Sequence, residues 1–291
     1  MAPASSLPAE LAERWGILSA EVIADTRSSL VHRVLRRDGT YAITKRLKPS
    51  GLHELPGIDL LDWQQGQGMV RLLDRTETAC LLEDAGKLTL KEHRLVHGED
   101  VANDVIVALL GRMQSASLLS PPTTLVPLRQ HFRALFDRVE RADRPDLSDV
   151  LTVCATIAEN LLSSQADIRP LHGDLHHENI VSGGSRGWLA IDPQGVVGDP
   201  AYDVANIFGN PEGAFPEIID RRRILRLASL FAPVIGCSKE KVLRYAIAHS
   251  GLSICWSLED GDRISRQGNA MERLAFAKAA IPLLSERVLS S

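Results

Sequence analysis

The chain has 291 residues, 44% of them hydrophobic and 24% charged, with a formal net charge of −4. That length suits one large or two modest domains with a full core, and the composition is that of an ordinary globular protein. It offers no broad basic field for nucleic acid or an anionic membrane, and no window approaches the roughly 18 uninterrupted apolar residues of a membrane span.

Residues 8–16 read as a short helix, with Leu11 and Trp15 on one face. The run before and through it has neither a basic start nor a long apolar stretch, so a cytoplasmic protein is expected. Cys80, Cys154, Cys237 and Cys255 lie far apart without a C-x-x-C and read as small buried residues in a reducing compartment. Residues 28–35 and 41–45 form strands around a turn at Asp38-Gly39, a hairpin signal. Alternation along the second strand puts Ile43 and Lys45 on one face. A helix is expected within residues 52–65, carrying Leu60, Leu61 and Trp63 on its apolar side, with Pro56 and Gly57 interrupting its start. Further strands begin at Gly66-x-Gly68 and span residues 79–83.

From about Leu88 the pattern turns helical. Val101, Val105, Leu109 and Met113 recur every four residues, Phe132, Leu135, Phe136 and Val139 stripe residues 128–140, and Val150, Val153, Cys154, Ile157 and Leu161 stripe residues 149–162. These stripes read as core packing. Residues 215–231, 239–258 and 268–288 are the last expected helices.

Between them lies L-H-G-D-L-H-H-E-N-I-V-S-G-G-S-R-G-W-L-A-I-D-P, residues 171–193. Ile180-Val181 and residues 188–191 are apolar runs joined by a glycine-rich turn, and so a β-hairpin. A turn symmetric about Ser185 and Arg186 pairs Asn179 with Asp192 at the open end. H-x-D-x-x-x-x-N followed by an Asp after a hairpin is the catalytic-loop pattern of kinases. There Asp174 takes the hydrogen bond of the attacking hydroxyl, while Asn179 and Asp192 supply the oxygen ligands that Mg²⁺ prefers. Lys45 ends its strand as the kinase lysine ends V-A-I-K, reaching the α/β-phosphates with Ile43 over the adenine. Glu54 is the candidate acid partner of Lys45, with Asp59 the alternative. No G-x-G-x-x-G precedes the first hairpin, so phosphate contact falls to backbone N–H groups near Ser28 and Ser29. A zinc cluster of His172, His176, His177 and Glu178 is the competing reading, since His172 and His176 have helical i, i+4 spacing.

The stretch L-H-G-D-L-H-H-E-N-I…I-D-P-Q…G-D-P-A-Y-D-V-A resembles the aminoglycoside phosphotransferases, and more narrowly the branch with streptomycin 6-kinases and hydroxyurea phosphotransferases. The resemblance runs over most of the chain, including Gly66-x-Gly68-Met-Val-Arg-Leu-Leu. It implies an α+β, bilobal, protein-kinase-like fold: a small antiparallel β-sheet N-lobe over residues 1–84 that binds nucleotide, and a larger, mainly helical C-lobe over residues 85–291 that carries catalysis and substrate. The active site is expected in the cleft between them. The resemblance further implies adenine contacts from the linker backbone at Glu83 and Ala85, and a structural Asp203 bonded to the catalytic loop backbone.

The expected enzyme is a monomer that uses ATP and Mg²⁺ to phosphorylate a hydroxyl of a small molecule. The favoured acceptor by resemblance is a cationic aminocyclitol such as streptomycin, which inactivates the antibiotic. Alternatives are hydroxyurea, a sugar or an amino alcohol, or a nucleotide-binding module without turnover. The acidic run at residues 259–262 is a candidate contact for a cationic acceptor. His172-Gly173-Asp174 in place of H-R-D, Ile191-Asp192-Pro193 in place of D-F-G, and the lack of A-P-E argue against a protein kinase.

Overall fold

The computed structural model describes residues 7–114, 120–259 and 268–285. In chain order the first elements are α1 (Ala9–Arg14), β1 (Ile17–Asp25), β2 (Ser29–Arg36), β3 (Tyr41–Leu47), α2 (Leu55–Gln64), β4 (Leu72–Arg75), β5 (Ala79–Glu83), α3 (Leu90–His97) and α4 (Glu99–Met113). Next come β6 (Val126–Pro127), α5 (Leu128–His131), α6 (Arg133–Arg141), α7 (Ser148–Leu162) and β7 (Arg169–Leu171). The last are β8 (Ile180–Ser182), β9 (Trp188–Ala190), β10 (Val196–Gly198), α8 (Arg221–Ile235), α9 (Lys239–Glu259) and α10 (Asn269–Ala280). Packing divides the chain into two compact units, the described residues up to Leu125 with Ile180–Gly195, and Val126–Asn179 with the described residues from Val196 onward.

The first unit is built on a five-stranded antiparallel sheet in the order β1-β2-β3-β5-β4. Alternation decides its two faces. Val34 and Ala42 point with Ala79 and Leu81 into a core closed by Leu11 and Trp15 of α1, while Ile43 and Lys45 face the other way. β1 escaped the sequence reading because it is an edge strand with Leu18, Val22 and Ile23 all exposed, so no one-sided apolar pattern marks it. The run from Gly66-x-Gly68 becomes a strand only at Leu72, after a bridge between Met69 and Ala190.

The hairpin β8-β9 belongs to this unit. Arg112 of α4 donates to the carbonyls of Arg186 (3.0 Å) and Trp188, and Arg186 donates to Glu83. Its pairs are Ile180 with Ala190, Val181 with Leu189 and Ser182 with Trp188. The turn is therefore centred on Ser185, with Gly184–Arg186 as one 3-10 turn. This corrects the expected pairing of Asn179 with Asp192. An odd-numbered turn moves the register by one residue, and Asp192 lies two residues past the last pair.

The second unit is mainly helical, with a three-stranded sheet in the order β6-β10-β7. α9 runs through its middle, buried from Val242 to Cys255, with α7, α8 and α10 packed on it. Three expected stripes are corrected. In α4 the buried face is Ala102, Asn103, Ile106, Leu109 and Leu110, with Val101 exposed. A strict four-residue repeat drifts about 40° per step from the 3.6-residue turn, so its end wanders to the surface. In α7, Leu151, Ala155 and Ala158 join Cys154, Ile157 and Leu161 inside, while Val153 is exposed. The helix expected over residues 128–140 is two, broken at Phe132. The four cysteines are free thiols, three of them buried and Cys237 partly so. No described helix is long and apolar enough to cross a membrane.

Candidate active site

In the first unit, a cavity of about 280 Å³ opens on the outer face of the sheet, lined by Val31, Ile43, Lys45, Val70, Leu82, Glu83, Ala85, Val181, Ile191 and Asp192 among others. Most of its lining is aliphatic, with Glu83, Lys45 and Asp192 as the charged residues. Lys45 reaches Asp192 Oδ1 and lies 2.5 Å from Glu54 Oε2. Its side chain is 12% exposed. Burial pulls its pKa down, but Asp192 first and Glu54 second outweigh that and leave it raised, so the ammonium is fixed in its charged form.

Glu54 takes this position because Pro49–Glu54 form a 3-10 turn and Glu54 is the N-cap of α2, with Pro56 in the helix's first turn. Asp59, the alternative, is engaged elsewhere, by Arg75 and by Thr124 at 2.6 Å. Asp192 has left-handed backbone, φ 59°, which Asp tolerates better than most residues. Its side chain is 55% exposed. Gly57 lets α2 pass the following residue closely, since a Cβ there would lie 1.8 Å from the Pro193 carbonyl oxygen.

Ser28 and Ser29 close the β1-β2 loop and are not among the residues lining this cavity. The Ser29 amide donates to Thr26 Oγ1 at 3.0 Å, so that N–H is already engaged. The loop is clasped from behind: Lys48 Nζ meets Asp25 Oδ1 at 2.5 Å and the Thr26 carbonyl, and Lys48 N donates to Ser28 O at 2.7 Å. Glu83 N donates to Arg71 O at 3.0 Å, and the Glu83 carboxylate accepts from Arg71 N and from Arg186.

In the second unit, residues 172–176 are loop rather than helix, so His172 and His176 do not share a helical face as a zinc site at that spacing needs. The loop is held by Asp203, whose carboxylate accepts from His172 N (3.2 Å) and Gly173 N (2.9 Å). Burial pushes Asp203 up to about 6, against the pull of those two amides. Asp199 caps the 3-10 turn Pro200–Tyr202 through Ala201 N. The Asp174 side chain is 26% exposed, so its carboxylate is within reach of a ligand. Asn206 Nδ2 donates to its Oδ1 at 2.8 Å, and Asn179 Nδ2 to its Oδ2 at 3.3 Å and its carbonyl at 3.0 Å. Because the nitrogen of the Asn179 amide is committed to Asp174, its oxygen is left as the acceptor end of that side chain.

His176 lies 3.7 Å from Asp174 and 2.9 Å from Glu178. Burial acts to lower its pKa, but Asp174 and then Glu178 override this and raise it to about 9. In return, although burial acts to raise Asp174, the imidazolium holds that carboxyl below its ordinary value. Behind the loop, Tyr202 OH is bracketed by His131 Nε2 at 2.8 Å and His249 Nδ1 at 3.0 Å. Burial depresses His131 to about 4 and His249 to about 3.

Sequence reasoning missed Asn206, His131 and His249. The one signal for Asn206 was its spacing of a single 3-10 turn after Asp203. Of the acidic run at 259–262, residues 260–262 lie outside the described residues; Glu259 is exposed and lies 3.7 Å from Arg141.

A sheet whose lysine meets an acid before a helix and a second acid after a hairpin, with a separate H-x-D-x-x-x-x-N loop, defines a protein-kinase-like phosphotransferase. Solved structures agree on the fold. An aminoglycoside phosphotransferase APH(4)-Ia, crystallised with ADP and hygromycin B, matches with a TM-score of 0.66 at 13% identity, covering 95% of this chain and 98% of that one. Choline kinase LicA from Streptococcus pneumoniae matches at 0.65 and 16% identity, covering 95% and 96%. The particular branch follows from sequence. Residues 14–261 match the family model of aminoglycoside/hydroxyurea antibiotic resistance kinases. Streptomycin 3''-kinase of Klebsiella pneumoniae is 36% identical over 86% of this chain and 91% of its own length. Streptomycin 6-kinase of Streptomyces griseus is 32% identical over 88% and 83%, and hydroxyurea phosphotransferase of Kitasatospora aureofaciens is 30% identical over 87% and 73%. The chain belongs to the aminoglycoside/hydroxyurea antibiotic resistance kinase family and is a small-molecule kinase.

Proposed function

We propose that the protein transfers the γ-phosphoryl group of ATP to a hydroxyl of an aminoglycoside, with streptomycin the first acceptor to test. The observation that carries the chemistry is the Asp174 carboxylate, ionised, reachable and held by two amide donors. It takes the hydrogen bond of the acceptor hydroxyl, orients it for in-line attack and receives its proton as the bond to phosphorus forms. Lys45, kept cationic between Glu54 and Asp192, binds the α/β-phosphates. The aliphatic cavity takes the adenine, with the Glu83 carbonyl and the Ala85 backbone along its edge. The Ser29 amide is engaged by Thr26, so phosphate contact by the β1-β2 loop falls to Ser28. Residues 1–84 then act as the nucleotide-binding lobe and residues 85–291 as the catalytic and acceptor-binding lobe, in a cytoplasmic monomer.

Asn179 and Asp192 each offer the kind of oxygen donor that Mg²⁺ prefers, and a bound ion would supply charge neutralisation to the ATP phosphates. Most of the catalysis assigned to the chain's own residues is positioning and electrostatics.

The streptomycin kinases among its relatives support the aminoglycoside reading, and the hydroxyurea phosphotransferase supports hydroxyurea as the second. ADP release measured with streptomycin, other aminocyclitols, hydroxyurea, choline and simple sugars separates them. Turnover with streptomycin is expected. Turnover confined to hydroxyurea or metabolites would replace the acceptor and keep the mechanism. Asp174→Asn should lose on the order of 10²–10⁴-fold in kcat with little change in ATP affinity. Wild-type transfer by that variant would overturn the assignment of the base.

A further inference from the structure

The two oxygens of Asp174 are held differently. Oδ1 receives Asn206 Nδ2 at 2.8 Å, whereas Oδ2 has Asn179 Nδ2 at 3.3 Å and faces His176 Nε2 at 3.7 Å. Asn206 is buried on the 3-10 turn Ala205–Gly209. Its own Oδ1 accepts from Asn210 Nδ2 at 2.7 Å, and the same Nδ2 donates to the Asn206 carbonyl at 2.7 Å. This fixes the flip of the amide: with its oxygen turned to a donor, its nitrogen is committed to the carboxylate. Two buried guanidinium groups then meet the turn. Arg223 donates Nη1 to Phe208 O at 2.6 Å and Nη2 to Asn210 O at 2.7 Å. Arg273 packs across it where Gly209 leaves room, for a Cβ there would come within 2.0 Å of Nη1. Both arginines are buried, and desolvating two such groups is more than the closure of a short loop requires.

We infer that Asn206, locked by Asn210 and braced by Arg223 and Arg273, is a positioning residue that sets the rotamer of the Asp174 carboxylate for the incoming hydroxyl. It anchors Oδ1 at 2.8 Å and so fixes the plane in which the carboxylate meets the acceptor. The inference rests on Asp174 being the base. Because small misplacements of a reacting group are felt strongly in rate, the effect belongs in kcat rather than in nucleotide binding.

A double-mutant cycle tests it, run with purified enzyme, saturating ATP and the acceptor of highest turnover in the panel above. Asn206→Ala should lower kcat roughly 10- to 100-fold and leave KM for ATP within about twofold. Asn206→Asp, of the same shape but with a repelling charge in place of the donor, should lose more. In an Asp174→Asn background, adding Asn206→Ala should cost less than about threefold, because residues acting as one unit are not additive. Undiminished kcat in Asn206→Ala, or the same loss in both backgrounds, overturns the inference. Should Asn206→Ala fail to fold, Asn210→Ala frees the Asn206 amide without removing it and is expected to show a smaller loss with the same non-additivity; a wild-type kcat there overturns the inference equally. An Asp174→Asn enzyme of wild-type rate would sink the base assignment itself. An inactive Asp174→Asn beside a fully active Asn206→Ala sinks only the role of Asn206.

Discussion

Acidification should weaken the second unit through one buried group of side chains, His131, Tyr202 and His249. Tyr202 OH is shared between the two imidazoles, and burial keeps both neutral. An unfolded histidine protonates near its ordinary 6.5, whereas these do so only near 4 and 3. Between those limits the unfolded chain binds protons that the folded one does not, so stability falls as pH falls. Carried to completion, the difference is about 3 kcal/mol for His131 and about 5 kcal/mol for His249. Asp203 works in the opposite sense. Its folded value of about 6 lies above the ordinary 3.8, so the folded state binds the extra proton and gains up to about 3 kcal/mol as pH falls through that interval. His176, raised to about 9, is charged in the folded state throughout this range, so its stabilisation grows by somewhat under about 1 kcal/mol as the unfolded imidazole takes up its proton near 6.5. At pH 4.5 His131 and His249 win, with a net loss of about 2 kcal/mol relative to pH 7, a large share of the usual 5–15 kcal/mol. Asp74 and Glu159, held at about 2 mainly by Arg14 and Arg129, act mostly below this window, Glu159 beginning at its lower edge. The assay is urea unfolding followed by tryptophan fluorescence from pH 7.5 to 4.5. His249→Gln keeps a partner for Tyr202 that cannot titrate, and should remove most of the net loss. The reasoning is refuted if the wild type is as stable at pH 4.5 as at 7, or if His249→Gln loses as much as the wild type.

Two further variants probe the first unit. Glu54→Gln removes one of the two charges that hold Lys45, and should lower kcat/KM for ATP roughly 10- to 100-fold while thermal stability changes little; unchanged kinetics would make the pair structural only. Gly57→Ala drives a methyl group into the Pro193 carbonyl, next to Asp192. A cost of about 1–3 kcal/mol, seen as a Tm lower by about 3–10 °C together with weaker ATP binding, is the expected result, and an unaltered melting curve would show that α2 moves aside freely.

What the sequence made legible was local. The face of Lys45 followed from simple alternation along β3, and the H-G-D loop from its spacing. The glycine-rich run announced a hairpin, but an assumed even turn shifted its register. β1 stayed hidden because an edge strand with Leu18, Val22 and Ile23 exposed has no buried stripe to betray it. Glu54 was ambiguous because Pro56 and Gly57 look like breaks, whereas the proline starts α2 and the glycine lets it pass Pro193. His131 and His249 act across distances that no spacing rule spans, and Asn206, three residues after Asp203, matters only through the Asp174 side chain that another element brings to it.

The path of the chain through its two units has a consequence for biosynthesis. The first unit contains Ile180–Gly195, yet residues 126–179 of the second intervene before that hairpin is made. A ribosome that has released only the first 125 residues has delivered a sheet whose Met69 lacks Ala190 and whose Glu83 lacks Arg186. Folding during translation therefore cannot finish the amino-terminal half first, as separately encoded domains do. Asp192 and the cavity wall at Val181 and Ile191 arrive together in the final insert, so a nascent chain stopped before that point has no complete cavity beside Lys45.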